Sequence, residues 1–118
     1  MSIYVSGSLA YDRIMNFPDK FSNHILPDKL HILNVCFLVQ DLEERFGGTA
    51  GNIAYSLALL DEKATILAAA GSDYERYQKW LQKHGISQDG IRTVQDAPTA
   101  SAYITTDYAD NQITAFNP

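Results

Sequence analysis

The sequence holds a single cysteine, Cys36, which excludes an internal disulfide and any zinc site built from several cysteines. Cations are also in short supply. Nine Lys and Arg stand against fourteen Asp and Glu, a formal net charge of -5, so the chain lacks the basic surface that neutralising a phosphate backbone requires. No nucleic-acid partner is expected, while small uncharged or cationic ligands stay open. No apolar stretch approaches the roughly 20 residues needed to span a bilayer. The N-terminal MSIYVSGSLAYDR lacks a basic segment followed by a long apolar run, so it does not read as a signal peptide. No membrane partner and a cytoplasmic location are therefore expected. His24, His31 and His84 show no metal-ligand spacing with acidic or cysteine partners, and no metal site is expected. Repeats and low-complexity segments are missing too.

What is present is ordinary globular material. With 46% hydrophobic and 19% charged residues the chain can build a core rather than stay disordered, and its 118 residues suffice for one modest domain. Ile3 to Ser6 reads as a short buried strand ending at Gly7, followed by a mixed stretch, SLAYDR. Pro18 and Pro27 bracket DKFSNHIL, which has room for a helical turn. The run from Leu30 to Val39, rich in β-branched and aromatic residues, predicts a strand, and Cys36 is expected to pack within it. Asp41, Glu43 and Glu44 read as a solvated charge run.

The period then changes. After the GGTAG turn at 47–51, Ile53, Leu57 and Leu60 fall on one helical face with Ala54 and Ala58 beside them, small enough to bring that helix close to a sheet. Ala64–Ala70 is a continuous apolar run of strand length, the kind buried on both faces of a parallel sheet. Ser72 and Glu75 have capping-box spacing and announce a second helix, with Tyr74, Tyr77, Trp80 and Leu81 on its core face and Gly85 at its stop. From Ile91 strands return, with TASAYITTDY and NQITAF forming a hairpin about Ala109-Asp110. Strands alternating with amphipathic helices imply an α/β layer with parallel pairing, and the additional strands a separate small sheet.

Two places carry candidate chemistry. Gly47-Gly48-Thr49-Ala50-Gly51-Asn52 opens a helix, where glycines permit close ligand approach and the free N–H groups of a helix start supply donors. Asn52 adds an acceptor and two donors in one amide. The loop is neither a dinucleotide fingerprint nor a P-loop, and such turns also occur for tight packing alone. The second place is Gly7-Ser8-Leu9-Ala10-Tyr11-Asp12. Open α/β sheets bind ligands beyond the carboxyl ends of their strands, so Asp12 stands where a carboxylate can accept bonds from two neighbouring hydroxyls. Taken alone, Asp12 reads first as a turn or cap residue; together with the glycine loop it reads first as a ligand for a substrate.

GGTAGNIA, followed later by Gly71, resembles the first signature of the PfkB or ribokinase family of carbohydrate and nucleoside kinases. Gly47, Gly48, Ala50, Asn52, Ala54 and Gly71 meet the pattern; Asp61 departs from it, standing where the family has Gly or Ser. VSGSLAYDRIMNFP, FLVQDLEERFGG, AAAGSDY and TTDYADNQITAFNP extend the similarity over essentially the whole chain, toward the adenosine kinases of that family. The resemblance implies a Rossmann-like ribokinase fold of α/β/α layers with a small β-sheet lid, whose strands run roughly over 12–46 and 98–116 and which often serves as a homodimer interface.

By the same resemblance Asp12 binds ribose hydroxyls, Gly47 and Gly48 approach the sugar and Asn52 hydrogen-bonds it. Ser8 and Phe116 are further candidates, for hydrogen bonding and for lining the base. The chain has no stretch like the family's Gly-Ala-Gly-Asp second signature, so it reads as the N-terminal, acceptor-binding portion of a longer kinase. The catalytic base and the sites for ATP and Mg2+ fall on no residue here, and the portion alone is expected to be inactive. The expected acceptor is a nucleoside, adenosine first. The alternatives are a free sugar such as ribose or fructose, or a non-catalytic binding or regulatory domain.

Overall fold

The alanine-rich run predicted as a doubly buried strand is the central strand of a parallel sheet, but only its Ala64, Ile66 and Ala70 face is buried, while Leu67 and Ala69 on the other face are exposed. The computed structural model describes residues 1–118. In chain order its elements are β1 (Ile3–Ser6), β2 (Ala10–Asn16), β3 (Asp41–Gly47), α1 (Thr49–Leu59), β4 (Ala64–Ala70), α2 (Glu75–Lys83), β5 (Ile91–Thr93), β6 (Ala100–Thr106) and β7 (Gln112–Asn117), with short 3-10 turns at Phe21–Asn23 and Pro27–Ile32. They divide into two units. One comprises Met1–Tyr11, Phe46–Ser101 and Asn117–Pro118, the other Asp12–Arg45 and Ala102–Phe116.

In the first unit the sheet order is β1-β4-β5, all parallel, with Val5 opposite Ile66 and Ala68 opposite Ile91. Parallel neighbours need a crossover, and α1 supplies it between β1 and β4. The residues that α1 buries are its smallest, Ala50, Gly51 and Ala54. That corrects the expected face: Ile53 and Leu60 are 50% and 73% exposed, and only Leu57 is partly buried against the core. Small side chains win the interface because they allow close approach, and a Cβ on Gly51 would run into the Tyr77 hydroxyl.

Both helices end in Schellman motifs. Beyond α1 the N–H of Glu62 donates to the Leu57 carbonyl at 2.9 Å and that of Asp61 to Ala58 at 3.1 Å. Beyond α2 the N–H of Ile86 donates to Leu81 at 3.0 Å and that of Gly85 to Gln82 at 3.1 Å. Gly85 takes the left-handed conformation this needs at φ 68°, and Asp61 takes it with a side chain at φ 60°. At the start of α2 the expected capping box does not form, because the helix begins after Tyr74 with no side-chain cap. The Ser72 N–H is drawn instead to the Ala97 carbonyl at 2.9 Å, and the Gly71 N–H to the Thr99 hydroxyl at 2.9 Å. As expected, Tyr74, Tyr77 and Leu81 are buried, with Trp80 packed partly against them.

The four-stranded sheet has the order β3-β2-β6-β7, and most of it belongs to the second unit. The hairpin of β6 and β7 turns through Asp110 at φ 59°. The strand expected over Leu30 to Val39 is absent. Residues 27–32 form a 3-10 turn, the following stretch is irregular, and Ile32 and Leu38 are 72% and 87% exposed. Cys36 is exposed rather than packed in a strand. Phe37, with ring centroids 4.6 Å from Phe17 and 5.1 Å from Phe21, holds this segment in an aromatic cluster. The strand lies instead in the charged run that follows, where Gln40 donates its N–H to the Asn16 carbonyl at 2.8 Å just ahead of β3. β propensity cannot supply a partner; the neighbouring β2 does.

Asp107, 7% exposed, ties the hairpin to the segment after β2. Its carboxylate accepts the N–H groups of Phe21 at 2.9 Å, Ala109 at 3.0 Å and Asn111 at 2.9 Å. Burial raises its pKa, but these donors outweigh burial and hold it below the ordinary carboxylate value.

Candidate functional site

In the first unit the chain leaves β1 through Gly7-Ser8 and meets the start of α1. Thr49 donates its N–H to the Ser8 hydroxyl at 3.1 Å, Ala50 donates to the Ser8 carbonyl at 3.0 Å, and Ser8 donates its own N–H to the Thr49 hydroxyl at 3.3 Å. Ser8, distant in sequence, thus caps α1 where Gly48 itself offers no side chain. The fit is close. Gly48 sits at φ 89°, and a Cβ there would collide with the Ser8 backbone, while a Cβ on Gly7 would come within 2.5 Å of the Thr49 hydroxyl.

This arrangement corrects one expectation. The first-turn donors are not open to a ligand at Thr49, Ala50 or Asn52, whose N–H groups are taken by Ser8 and, at 3.0 Å, by the Gly48 carbonyl. The Asn52 side chain, in contrast, is exposed and makes no hydrogen bond within the protein. Ser8, Gly47, Gly48 and Asn52 are therefore brought together, with Ser8 engaged in capping.

Two residues in this arrangement escaped sequence reasoning. Thr49 completes the Ser8 lock, and the Tyr77 hydroxyl donates to the Gly47 carbonyl at 2.7 Å. Tyr77 is legible in the sequence as a core residue of α2, but its polar end gives no sign of its target. Tyr11 is a companion: its hydroxyl donates to the Asp73 carbonyl at 2.6 Å and accepts the Tyr77 N–H at 3.3 Å.

Asp12 and Phe116 belong to the second unit. Asp12, half-buried on β2, has a carboxylate that accepts no hydrogen bond from the protein. Across the sheet pair, Glu43 and Arg45 project from β3, with Arg45 Nε 2.9 Å and Nη2 3.1 Å from the Glu43 carboxylate. Phe116, on β7, is 56% exposed. No three His, Cys, Asp or Glu side chains gather where they could hold a metal ion.

The model of the pfkB family carbohydrate kinases matches residues 9–118. The chain belongs to the pfkB family. A nucleoside kinase from Burkholderia thailandensis, solved in complex with inosine, is 41% identical with a TM-score of 0.85, over 99% of this chain and 37% of that one. The nucleoside kinase of Methanocaldococcus jannaschii, described as an archaeal member of the ribokinase family, is 26% identical with a TM-score of 0.82, over 98% of this chain and 36% of that one. A nucleoside kinase from Methanothermobacter thermautotrophicus is 29% identical over 85 residues, which is 70% of this chain and 28% of the relative. This pfkB-family chain thus has the ribokinase-type α/β fold and spans between 28% and 37% of the length of these relatives. No helix in it is long and apolar enough to cross a membrane.

Proposed function

We propose that this chain is the acceptor-binding portion of a kinase that transfers the γ-phosphoryl group of ATP to a ribose hydroxyl of a nucleoside. The observation that carries the reading is the half-buried Asp12 carboxylate, left without a protein hydrogen bond in a family whose members phosphorylate polyhydroxylated acceptors. A carboxylate in that state can accept from two adjacent hydroxyls, each bond to a charged acceptor contributing about 1.5–3 kcal/mol. In this reading the Asn52 amide adds a second polar contact, and Gly47 and Gly48 keep side chains out of the sugar's way. Phe116 offers an aromatic wall to the base. The second unit is the lid of the complete domain. What these residues contribute to phosphoryl transfer is positioning of the acceptor, which is where much of the catalysis of such transfers lies.

Adenosine is the acceptor we favour. Inosine is the second reading, because the Burkholderia thailandensis relative was solved with inosine bound. The test is a competition assay on the full-length kinase with adenosine, inosine, ribose and fructose at equal concentration, alongside Phe116→Ala. A nucleoside should be phosphorylated preferentially, and Phe116→Ala should raise its KM. Preference for a free sugar with unchanged constants in Phe116→Ala overturns the nucleoside reading.

A further inference from the structure

The second unit carries an arrangement whose use is not explained by acceptor binding at Asp12 alone. β2 and β3 are neighbours in the sheet, and successive side chains on a strand point to opposite faces. Arg13 and Glu44 meet on one face, 3.5 Å apart, with the Arg13 guanidinium 5.3 Å from the centre of the Tyr103 ring. Their chain neighbours Asp12, Glu43 and Arg45 consequently share the reverse face. There Arg45 on β3 lies near enough to Asp12 on the adjacent β2 to feel its charge, a setting in which opposite charges on neighbouring strands can pair. They do not pair. The guanidinium fork is turned along its own strand, with both Nε and Nη2 donating to the two oxygens of Glu43. The Glu43 bonds raise the Arg45 pKa most, and the charge of Asp12 raises it further, so Asp12 feels Arg45 without being bonded to it.

The consequence for a ligand is direct. A bidentate Arg–carboxylate bridge would occupy both oxygens of Asp12, the same lone pairs that a pair of hydroxyls would use. We propose that Glu43 is a positioning residue for acceptor binding: by engaging the Arg45 guanidinium it keeps that cation from closing onto Asp12 and leaves the Asp12 carboxylate open to the hydroxyls of a neutral acceptor. This rests on the reading of Asp12 given above. Glu43 touches no substrate in this role. It acts through Arg45, and removing it makes the acceptor compete with an internal ion pair.

The experiment uses the full-length kinase and four variants: Glu43→Ala, Glu43→Gln, Glu43→Ala/Arg45→Ala, and Asp12→Asn. Glu43→Ala should raise the acceptor KM about fivefold, the scale of forming an exposed ion pair, with kcat unchanged. Glu43→Gln, which keeps an acceptor for the guanidinium, should lie between Glu43→Ala and the parent. The double variant should recover a KM near the parent's, because without Arg45 there is no cation to close on Asp12. A merely structural role for Glu43 predicts the reverse, since removing both partners would not repair the strand. An unchanged KM in Glu43→Ala, or a double variant as impaired as the single, overturns the proposal while leaving Asp12 as the acceptor's ligand. An unchanged KM in Asp12→Asn overturns the acceptor reading and this inference together. Melting curves for each variant show whether the chain is folded. Should Glu43→Ala fail to fold, the same comparison is made between Glu43→Gln alone and with Arg45→Ala.

Discussion

The Tyr77 hydroxyl on α2 donates a 2.7 Å hydrogen bond to the carbonyl of Gly47, so the glycine pair that opens α1 is held from the neighbouring helix. Tyr77 is fully buried. Replacing it by Phe keeps the ring contacts with Tyr11, Phe46 and Trp80 but strands a buried carbonyl. Tyr77→Phe should therefore destabilise the fold by about 1–3 kcal/mol, read as a lower urea midpoint. An unchanged midpoint would mean that the Gly47 carbonyl finds another donor.

Asp61 holds the left-handed position that closes α1, at φ 60°. A left-handed residue with a Cβ costs roughly 1–2 kcal/mol, which Asp only partly offsets with its short polar side chain. Asp61→Gly should raise the unfolding midpoint, with a gain of up to about 1 kcal/mol after the added freedom of the unfolded chain is subtracted. Asp61→Val should lower it, because a β-branched side chain is least tolerated there. Equal midpoints in the two variants would contradict the left-handed turn.

Acid should loosen the second unit. Asp19 is held at about 2, below the ordinary 3.8, first by the His24 imidazole at 2.8 Å and then by the Lys20 N–H and the Asn23 amide. At Asp107 burial acts upward, yet the N–H donors prevail and the shift is again downward. A carboxyl whose pKa is depressed on folding stabilises the fold above its unfolded value and loses that contribution as pH falls through the folded value. Stability should thus decline from the ordinary carboxylate range near pH 4 down toward pH 2. Urea titrations across that window should show a shallower decline for Asp107→Asn and for Asp19→Asn. A slope identical to the parent's in both would remove these carboxylates from the acid response.

Asp12→Asn in the full-length kinase should weaken acceptor binding about tenfold to a hundredfold, the loss expected when a charged acceptor of hydroxyl bonds becomes neutral. Acceptors lacking the 2′-hydroxyl should suffer less from the substitution, having one bond fewer to lose. Isothermal titration with adenosine and 2′-deoxyadenosine measures both. Equal affinities for parent and variant would reduce Asp12 to a structural residue of β2.

Local chemistry made much of this chain legible before any coordinates. The run Ala64–Ala70 could be read as a strand, though not as one with only a single face buried, Gly85 could only end a helix, and Gly47-Gly48 marked the strand-to-helix turn, because period, apolar continuity and backbone freedom are written in consecutive residues. Where reasoning failed, the deciding partner lay far along the chain. Leu30 to Val39 has strand composition but no strand beside it, whereas the charged Asp41–Gly47 has β2. Ser8 caps α1 from forty-one positions away. The Tyr77 hydroxyl reaches Gly47 across thirty. Glu43, read from composition as one of several solvated charges, gains its particular place only when β3 lies beside β2 and brings Arg45 within reach of the Asp12 charge. Propensity and period are properties of neighbouring residues, so the sequence alone marked α1, β4, α2 and the glycine turn. Which polar groups are already paired is a property of the folded chain, and only the tertiary structure decided that Ser8 is engaged in capping while Asp12 and Asn52 are left open.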